Sequence, residues 1–324
     1  MKAAVLHAFG ETPRYEDFPD PTVGEDEILI HVKAVALENV DKAVAKGVHF
    51  ASHQFFPQFP AVISFDGIGT LEDGRLVGFG GMKPPYGSMA EKVVIPKLYY
   101  APIPEGVDAA TAAAVPGSTL TSLFPLKWGA KLQPEETVLI NGATGFSGKL
   151  AVQVAKLLGA KRIVATGRHD ESLRALPALG ADTVIDLKQS DEKIIAAFKQ
   201  EAGESGYHVI IDFLWGHITE LLIASLVPHE ISFARHTTRL VQVGEMAGST
   251  ITLPADALRT SGLNIMGGGG NLTPEAIGEG TQLAWEWIKA GKLSADIEQV
   301  PLKDIESAWN RTDIQGKRLV IVPS

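Results

Sequence analysis

The chain has 324 residues, of which 45% are hydrophobic and 21% are charged, and its net charge is −9. This length allows two domains, each with its own core. The negative charge argues against a nucleic-acid partner, the absence of cysteine excludes disulfides and thiolate metal sites, and no apolar run is long enough to cross a membrane. Because the first ten residues read as a strand and not as a secretion signal, we expect a cytoplasmic protein.

The first third of the chain reads as short strands. After the N-terminal strand, apolar and β-branched runs occupy residues 27–35, 65–71, 75–79 and 88–95, and Gly, Pro and Asp separate them. Such runs with such boundaries predict a β-rich body. From Asp108 onward the composition becomes alanine-rich and helical.

Strands and helices then alternate, with predicted strands at residues 137–140, 162–165, 183–185, 209–213 and 239–243. This alternation predicts a doubly wound parallel sheet. The last segment reads as helix 276–290, strand 295–300, helix 302–310 and strand 317–322. A nucleotide-binding body that begins near residue 116 implies that another body is built first and that the last segment returns to it. Ligand is then expected at the carboxyl ends of the parallel strands, in the cleft between the two bodies.

The most informative stretch is TVLINGATGFSGKLAVQVAKLLGA at residues 137–160. Three glycines at a spacing of three lie between a buried strand and an amphipathic helix, which is the context of a dinucleotide fingerprint. Glycine lets the backbone approach a pyrophosphate, and the helix N-terminus supplies N–H donors and a positive dipole end. The alternative is a structural turn that binds no ligand. The predicted cofactor-binding residues of this turn are Gly142, Ala143, Thr144, Gly145, Phe146, Ser147 and Gly148.

Arg168 decides the predicted cofactor. NAD-selective sites place an acidic residue at the end of the second strand, about 20 residues beyond the glycine turn. Here Arg168 stands at that place, and a guanidinium can pair bidentately with a 2′-phosphate. We therefore predict NADPH. The alternative is that Arg168 is a solvated surface residue and that Asp170 or Glu171 reaches the ribose.

Segments that match one family pattern run nearly from end to end. They are MKAAVLHAFG at the start, AVALENVDKAVAKG from residue 34, FDGIGTLEDGRLVGF from residue 65, YGSMAEKVVIP from residue 86, the GATGFSG turn, ALGADTVID from residue 178 and KRLVIVPS at the end. On these segments the chain resembles the zinc-free quinone-oxidoreductase branch of the medium-chain dehydrogenase/reductase superfamily. The resemblance implies an α/β fold with a GroES-like domain at residues 1–115 and 272–324, a Rossmann domain at residues 116–271 and, usually, a homodimer.

Departures from the zinc-dependent relatives indicate the chemistry. Glu38 replaces a zinc-binding cysteine, Val40 replaces a proton-relaying hydroxyl, and Phe65 stands at the place of the histidine in a GHE motif. A catalytic zinc needs three good protein ligands, so we predict no metal. Hydride must then go to an acceptor that is already electrophilic, such as a quinone or an alkene conjugated to a carbonyl.

The resemblance also implies further residues near the nicotinamide. It places Thr121, Val243 and Gly244 there, and it puts the glycine run 267–270 with Asn271 near the cofactor or the dimer edge, with Gly268 as the predicted contact. The alternative for Thr121 is a hydroxyl bonded to its own helix backbone. The alternative for the glycine run is a mobile loop.

The substrate side gives weaker signals. The predicted catalytic residues are Glu38, Asn39 and Asp41. Glu38 in a partly desolvated cleft would donate a proton to the reduced oxygen. The alternative is a carboxylate that is paired with a nearby lysine or hydrogen-bonded to the cofactor ribose. Asn39 is the neighbouring amide, whereas Asp41 is expected to hold the loop. Phenylalanines between residues 50 and 59 give this region an aromatic character suited to flat rings.

Three functions follow from these patterns. The leading hypothesis is an NADPH-dependent reductase of quinones or activated enones. The second is an enoyl-thioester reductase, which would need a basic patch for coenzyme A phosphates. The third is a non-catalytic NADPH-binding protein that acts as a redox sensor or a structural protein.

Overall fold

The computed structural model describes residues 1–228, 234, 236–269 and 272–323. The chain forms two compact units: residues 1–116 together with the segment from Asp296 onward, and residues 117–295. The strands, in chain order, are β1 (Lys2–Leu6), β2 (Arg14–Asp17), β3 (Glu27–Leu37), β4 (Ala61–Val62), β5 (Asp66–Thr70), β6 (Leu76–Gly80), β7 (Lys92–Pro96), β8 (Tyr100–Pro102), β9 (Thr137–Asn141), β10 (Arg162–Gly167), β11 (Thr183–Asp186), β12 (Val209–Asp212), β13 (Thr238–Gln242), β14 (Leu263–Gly267), β15 (Ile297–Pro301) and β16 (Arg318–Val322).

The helices complete the two units. They are α1 (Asn39–Ala45), α2 (Ser52–Phe55), α3 (Ala109–Phe124), α4 (Phe146–Leu157), α5 (Asp170–Leu179), α6 (Asp191–Ala202), α7 (Gly216–Leu226), α8 (Ala255–Thr260), α9 (Pro274–Lys289) and α10 (Ile305–Trp309). A π-helical turn (Pro125–Gly129) extends α3, and a 3₁₀ turn (Leu302–Asp304) precedes α10. No helix among the described residues has both the length and the apolar character that a membrane span requires.

The first unit is built from two distant parts of the chain. Strand β16 pairs with β3 in antiparallel register and with β15 in parallel register, so the last segment returns to the first body. Leu37 and Leu319 face each other in this pairing, and both are buried in a core that also holds Ile30 and Trp309. A separate three-stranded antiparallel sheet has the order β2-β1-β4.

The second unit contains a six-stranded parallel sheet in the order β11-β10-β9-β12-β13-β14. Numbered within the unit, this order is 3-2-1-4-5-6, the Rossmann arrangement. Side chains alternate between two cores: Val138 and Ile140 of β9 point to one face, and Leu139 points to the other. Alternation of this kind is expected because successive residues of a strand face opposite sides of the sheet. The predicted α/β class with a parallel doubly wound sheet is confirmed.

Residues 272–295 belong to the second unit, whereas the sequence analysis placed them with the first. Helix α9 explains the difference. Trp287 of α9 is buried in one of the second unit's cores, and Gly280 lies so close to Phe124 that a β-carbon would come within 2.5 Å of the ring. After the helix, Ser294 exchanges two hydrogen bonds with the side chain of Gln153, at 2.7 and 2.9 Å.

Candidate active site

The glycine turn of the second unit leaves β9 and enters α4. A β-carbon on Gly148 would lie 2.3 Å from the carbonyl oxygen of Gly142, so the turn and the helix pack too closely for any side chain there. A β-carbon on Gly145 would instead have Gly142 O, at 3.8 Å, as its nearest neighbour. Gly145 is the N-cap of α4 and has no side chain to cover the helix end. The turn therefore combines tight packing on one side with open space at a helix N-terminus, which is the geometry of an anion site.

The end of β10 supports this turn. Thr166 accepts a hydrogen bond from Ala143 N at its carbonyl oxygen (2.8 Å) and one from Gly142 N at its hydroxyl oxygen (3.0 Å). A β-carbon on Gly167 would meet the Thr144 side chain at 2.1 Å. Thr144 therefore packs directly on the strand end. The sequence analysis did not single out Gly167; a glycine that ends the second predicted strand was the available signal.

A buried polar network joins the ends of three strands. The Thr166 hydroxyl donates to Asn141 Oδ1 at 2.8 Å, and Asn141 Nδ2 donates to Asp212 Oδ1 at 3.0 Å. Asp212 also accepts from the Thr219 hydroxyl at 2.5 Å and from the backbone N–H of Trp215 at 3.1 Å. All four network side chains are buried. The network fixes the glycine turn relative to the loop after β12, where Trp215 has a positive φ of 54°.

Arg168 follows β10 directly. Its side chain is exposed and forms no hydrogen bond or ion pair with any residue that the structure describes. The neighbouring Asp170, which the alternative interpretation assigned to the ribose, pairs with Lys188. The pKa of Asp170 is lowered, and the side-chain hydrogen bond with Lys188 is the largest cause. Asp170 is therefore already paired with a cation, whereas Glu171 and the Arg168 guanidinium are both exposed.

The other predicted cofactor residues lie at the end of the parallel sheet and on α3. Gly244 and Gly268 lie at the carboxyl ends of the sheet: a β-carbon on Gly244 would meet Phe213 O at 2.7 Å, and one on Gly268 would meet the Val243 side chain at 3.1 Å. Thr121 lies on α3 and donates to Ser118 O at 2.8 Å, which is the bond that the structural alternative predicted. Gly270 and Asn271 lie outside the described residues.

In the first unit, Glu38 and Asp41 form the start of α1. Glu38 is the N-cap residue, and its backbone N–H donates to Asp41 Oδ2 at 2.8 Å. Glu38 Oε1 also lies 3.3 Å from Arg318 Nη2 on β16, while Arg318 Nη1 donates to Leu37 O at 3.1 Å. Glu38 is therefore a paired carboxylate, but its partner is an arginine and not the lysine that the alternative interpretation named. Asn39 is the exposed first residue of the helix.

Asp41 is the electrostatically unusual group of this cluster. Its side chain is buried, and burial raises the pKa of Asp41 to about 8. The hydrogen bond from Glu38 N opposes this rise, the negative charges of Glu38 and Asp66 add to it, and the Ser64 hydroxyl opposes it again. The environment of Asp41 therefore favours the protonated form of its carboxyl.

An aromatic cavity of about 390 Å³ lies in the first unit. Phe55 and Phe65 stack at its wall with ring centroids 4.6 Å apart. The lining residues are Gln54, Phe55, Phe56, Val62, Ser64, Phe65, Gly81, Met82, Pro84 and Tyr86. His49 and His53 do not line this cavity: His49 Nδ1 accepts from Ala51 N at 3.2 Å, and His53 packs on Phe9.

The residues at the positions of the zinc ligands do not form a zinc site. Phe65 stacks on another ring and cannot ligate a metal, and Glu38 is paired with Arg318. Within the described part of the chain, no three His, Asp or Glu side chains are grouped so that they could hold a metal ion. A catalytic zinc requires three protein ligands and an open position, and these residues do not fit it because the necessary nitrogen, sulfur and carboxylate donors are not assembled.

Comparison with known proteins finds several oxidoreductases that resemble this chain. The family model for zinc-binding dehydrogenases matches residues 148–284. Quinone oxidoreductase-like protein 2 of Bos taurus is 27% identical over 259 residues, covering 78% of this chain and 70% of the relative. A probable NADPH-dependent quinone reductase of Emericella nidulans is 27% identical and covers all of both chains. The quinone oxidoreductase of Thermus thermophilus, solved also as a complex with NADPH, has 26% identity and a TM-score of 0.74 over 99% of this chain and 100% of its own.

These comparisons support a place in the medium-chain dehydrogenase/reductase superfamily, in its quinone-oxidoreductase-like branch. The proteins that the chain resembles are oxidoreductases of the medium-chain type.

Proposed function

We propose that this protein is an NADPH-dependent, zinc-independent reductase that transfers a hydride to a quinone or an activated enone. The observation that carries the proposal is the glycine turn, in which Gly148 permits close packing and Gly145 leaves open space at the N-terminus of α4. The reductase of Emericella nidulans and the NADPH complex of the Thermus thermophilus enzyme support the choice of cofactor.

The residues present fit a dinucleotide phosphate. The turn 142–148 would hold the pyrophosphate through backbone N–H groups and the helix dipole, and Arg168 would pair with the 2′-phosphate. Val243, Gly244 and Gly268 would approach the nicotinamide, and Thr121 its ribose. When bound, the cofactor supplies the hydride; the protein orients the reacting groups and excludes water.

The residues of the first unit indicate the chemical class of the acceptor. The described residues do not assemble a set of metal donors, so we expect an acceptor that is electrophilic by itself. The aromatic cavity suits a flat ring or a conjugated carbonyl compound, since its walls offer ring faces for stacking. Glu38, Asn39 and Asp41 lie at the α1 start in the same unit. We assign Glu38 the charge partner of Arg318, Asn39 a polar contact, and Asp41 the group that holds the helix start.

The oligomer and the compartment belong to the same proposal. We infer a homodimer formed through β14, which pairs on one side only, with β13, among the described strands. Such an edge can pair with a second copy of the chain, and an apolar groove of about 880 Å³ that includes Leu263 and Ile265 runs beside it. Light scattering after gel filtration tests the dimer. We also propose a cytoplasmic location, which fractionation of cells that express the protein tests.

The first experiment compares initial rates of NADPH and NADH oxidation, at matched concentrations, against ortho-quinones, para-quinones and enones. We expect quinone-dependent oxidation of NADPH well above that of NADH. Fluorescence titration measures NADPH affinity in parallel. Tight NADPH binding without turnover of any acceptor would refute the reductase and favour a redox sensor, an interpretation consistent with a Glu38 carboxylate tied up by Arg318.

A further inference from the structure

Ser64 adopts a backbone conformation that serine rarely takes. Its φ is 68°, in the left-handed region that favours glycine. The surrounding strands hold it there: Ser64 O accepts from Ser88 N at 3.2 Å, and the preceding Ile63 O accepts from Met89 N at 3.1 Å. Strained non-glycine residues that the surrounding structure holds in place are concentrated at functional sites. Because glycine would adopt this conformation without strain, we look for a role of the serine hydroxyl.

The side chain of Ser64 faces the aromatic cavity. Ser64 lines that cavity together with the stacked rings of Phe55 and Phe65. The residue is only 6% exposed, and its hydroxyl oxygen forms no hydrogen bond of ordinary geometry with any described residue. A buried hydroxyl without such a bond is costly. Of the two hydroxyl side chains that line the cavity, Tyr86 donates its O–H to Asp20 O at 3.4 Å, whereas the Ser64 hydroxyl has no such partner and remains for a ring that binds there.

The buried Asp41 carboxyl lies within reach of this hydroxyl, which lowers the pKa of Asp41, although burial outweighs this effect and raises that pKa to about 8. The other charged groups that face Asp41 are Glu38 at the start of its own helix and Asp66 on β5, and Arg318 on β16 pairs with Glu38. The two negative charges favour the protonated carboxyl. Ser64 is therefore the residue that lines the cavity and also interacts with the Asp41 carboxyl.

We infer that Ser64 is a catalytic hydroxyl, which donates a proton to the carbonyl oxygen of a flat ring acceptor in the aromatic cavity, and that Asp41 replaces this proton. The inference rests on the proposed reductase function. Hydride addition to a quinone or enone breaks the C=O or C=C π bond and leaves negative charge on oxygen. The Ser64 O–H proton moves to that oxygen while the Asp41 carboxyl proton moves to Ser64. Asp41 is left as a carboxylate and regains its proton from water.

The residues that line the aromatic cavity also indicate the chemical class of the substrate. The acceptor is an uncharged planar carbonyl compound, because the lining offers rings, Met82 and Pro84 but no cationic side chain. A coenzyme A thioester would bring phosphates for which the lining has no partner. A single oxygen directed at Ser64 orients the ring.

A binding experiment without cofactor tests the site. The probe is 4-nitrophenol, whose phenolate oxygen resembles the oxygen that becomes charged, and whose absorbance distinguishes the phenol from the phenolate. We expect Ser64→Gly and Ser64→Ala to weaken binding of the probe to the cofactor-free protein about tenfold. Ser88→Ala is the matched control, because Ser88 is another buried serine of the same unit without a hydrogen bond at its hydroxyl and does not line the cavity. The control is expected to bind the probe like the wild type.

The pH dependence provides a readout that a purely structural role would not change. Affinity for the phenolate is expected to fall as the pH rises through about 8 in the wild type, where Asp41 loses its proton, and to stay flat there in Asp41→Asn. Asparagine can still accept the hydrogen bond from Glu38 N, so the helix start is kept. Turnover of 1,4-naphthoquinone with NADPH is expected to fall at least tenfold in Ser64→Gly and to be unchanged in Ser88→Ala.

The outcomes separate the two proposals. Equal probe affinity in Ser64→Gly and wild type, or no binding of the probe by the wild type, overturns the role of Ser64 whatever the turnover. Loss of probe binding in Ser64→Gly supports the site even if no quinone is turned over, and in that case the reductase proposal alone fails.

Discussion

Replacing Gly148 by alanine tests the central feature of the second unit. The new β-carbon would lie 2.3 Å from Gly142 O and 2.7 Å from Ala143 Cα, both backbone atoms, whereas ordinary contacts begin at 3.4 Å. The turn or the helix must therefore move by about 1 Å. Overpacking of this kind costs about 1–3 kcal/mol, which for a unit of this size lowers Tm by roughly 2–12 °C. Because the pyrophosphate site is made of this same backbone, NADPH affinity is expected to fall together with stability.

Gly145→Ala is the matched control in the same turn. Its β-carbon has 3.8 Å of room to the nearest neighbour, so the fold should lose less than about 1 kcal/mol, mainly from a poorer N-cap. The added methyl occupies the space through which phosphate would approach, so NADPH affinity should still fall, on the order of tenfold. Differential scanning calorimetry and fluorescence titration measure the two quantities on both variants. A wild-type Tm in Gly148→Ala, or wild-type NADPH affinity in Gly145→Ala, would refute this account of the turn.

Arg168→Ala should weaken NADPH binding roughly 10- to 150-fold, as expected for a lost charge-assisted pair of about 1.5–3 kcal/mol, and should leave NADH binding unchanged; equal losses for both cofactors in calorimetric titrations would contradict the 2′-phosphate assignment. Ser64→Gly should raise the stability of the first unit by about 1 kcal/mol, since it removes left-handed strain from a serine, and a lower Tm would be the opposite result. The pKa of Asp41 is higher in the folded state than in the unfolded chain, so the folded state keeps a proton that the unfolded chain releases, and the free energy of unfolding should fall as the pH rises from about 4 to about 8. Asp41→Asn should make that slope shallower in urea titrations, and an unchanged slope would show that Asp41 is ionised in the folded protein.

Features that depend on nearby residues were predictable from the sequence. The glycine turn, its strand and its helix are contiguous, so their spacing alone predicted the strand–turn–helix arrangement that the structure shows. The predicted strands are present, with ends displaced by no more than four residues. Strand β14 was missed because it is half-exposed, carries Asn264 and Gly267 and shows no clear alternation. The short strands β2, β4 and β8 were missed for a similar reason, as they have only two to four residues.

Features made by distant residues were not predictable. Asn141 and Asp212 are 71 positions apart and meet only because β9 and β12 are neighbours in the sheet. The partner of Glu38 is Arg318 on β16, and nothing in a single sequence links these two positions. The positive φ of Ser64 is likewise invisible, because glycine, not serine, is the usual signal for that conformation.

The pairing of β3 with β16 has a consequence for synthesis on the ribosome. Leu37 and Arg318, joined by a hydrogen bond in this pairing, are 281 positions apart. At about 5–20 residues per second, β3 is made roughly 15–55 s before its partner. During that interval all of residues 117–295 emerge as one uninterrupted stretch and can fold around their own sheet. The nascent first unit meanwhile carries an open strand edge, with which the strand of another chain could pair.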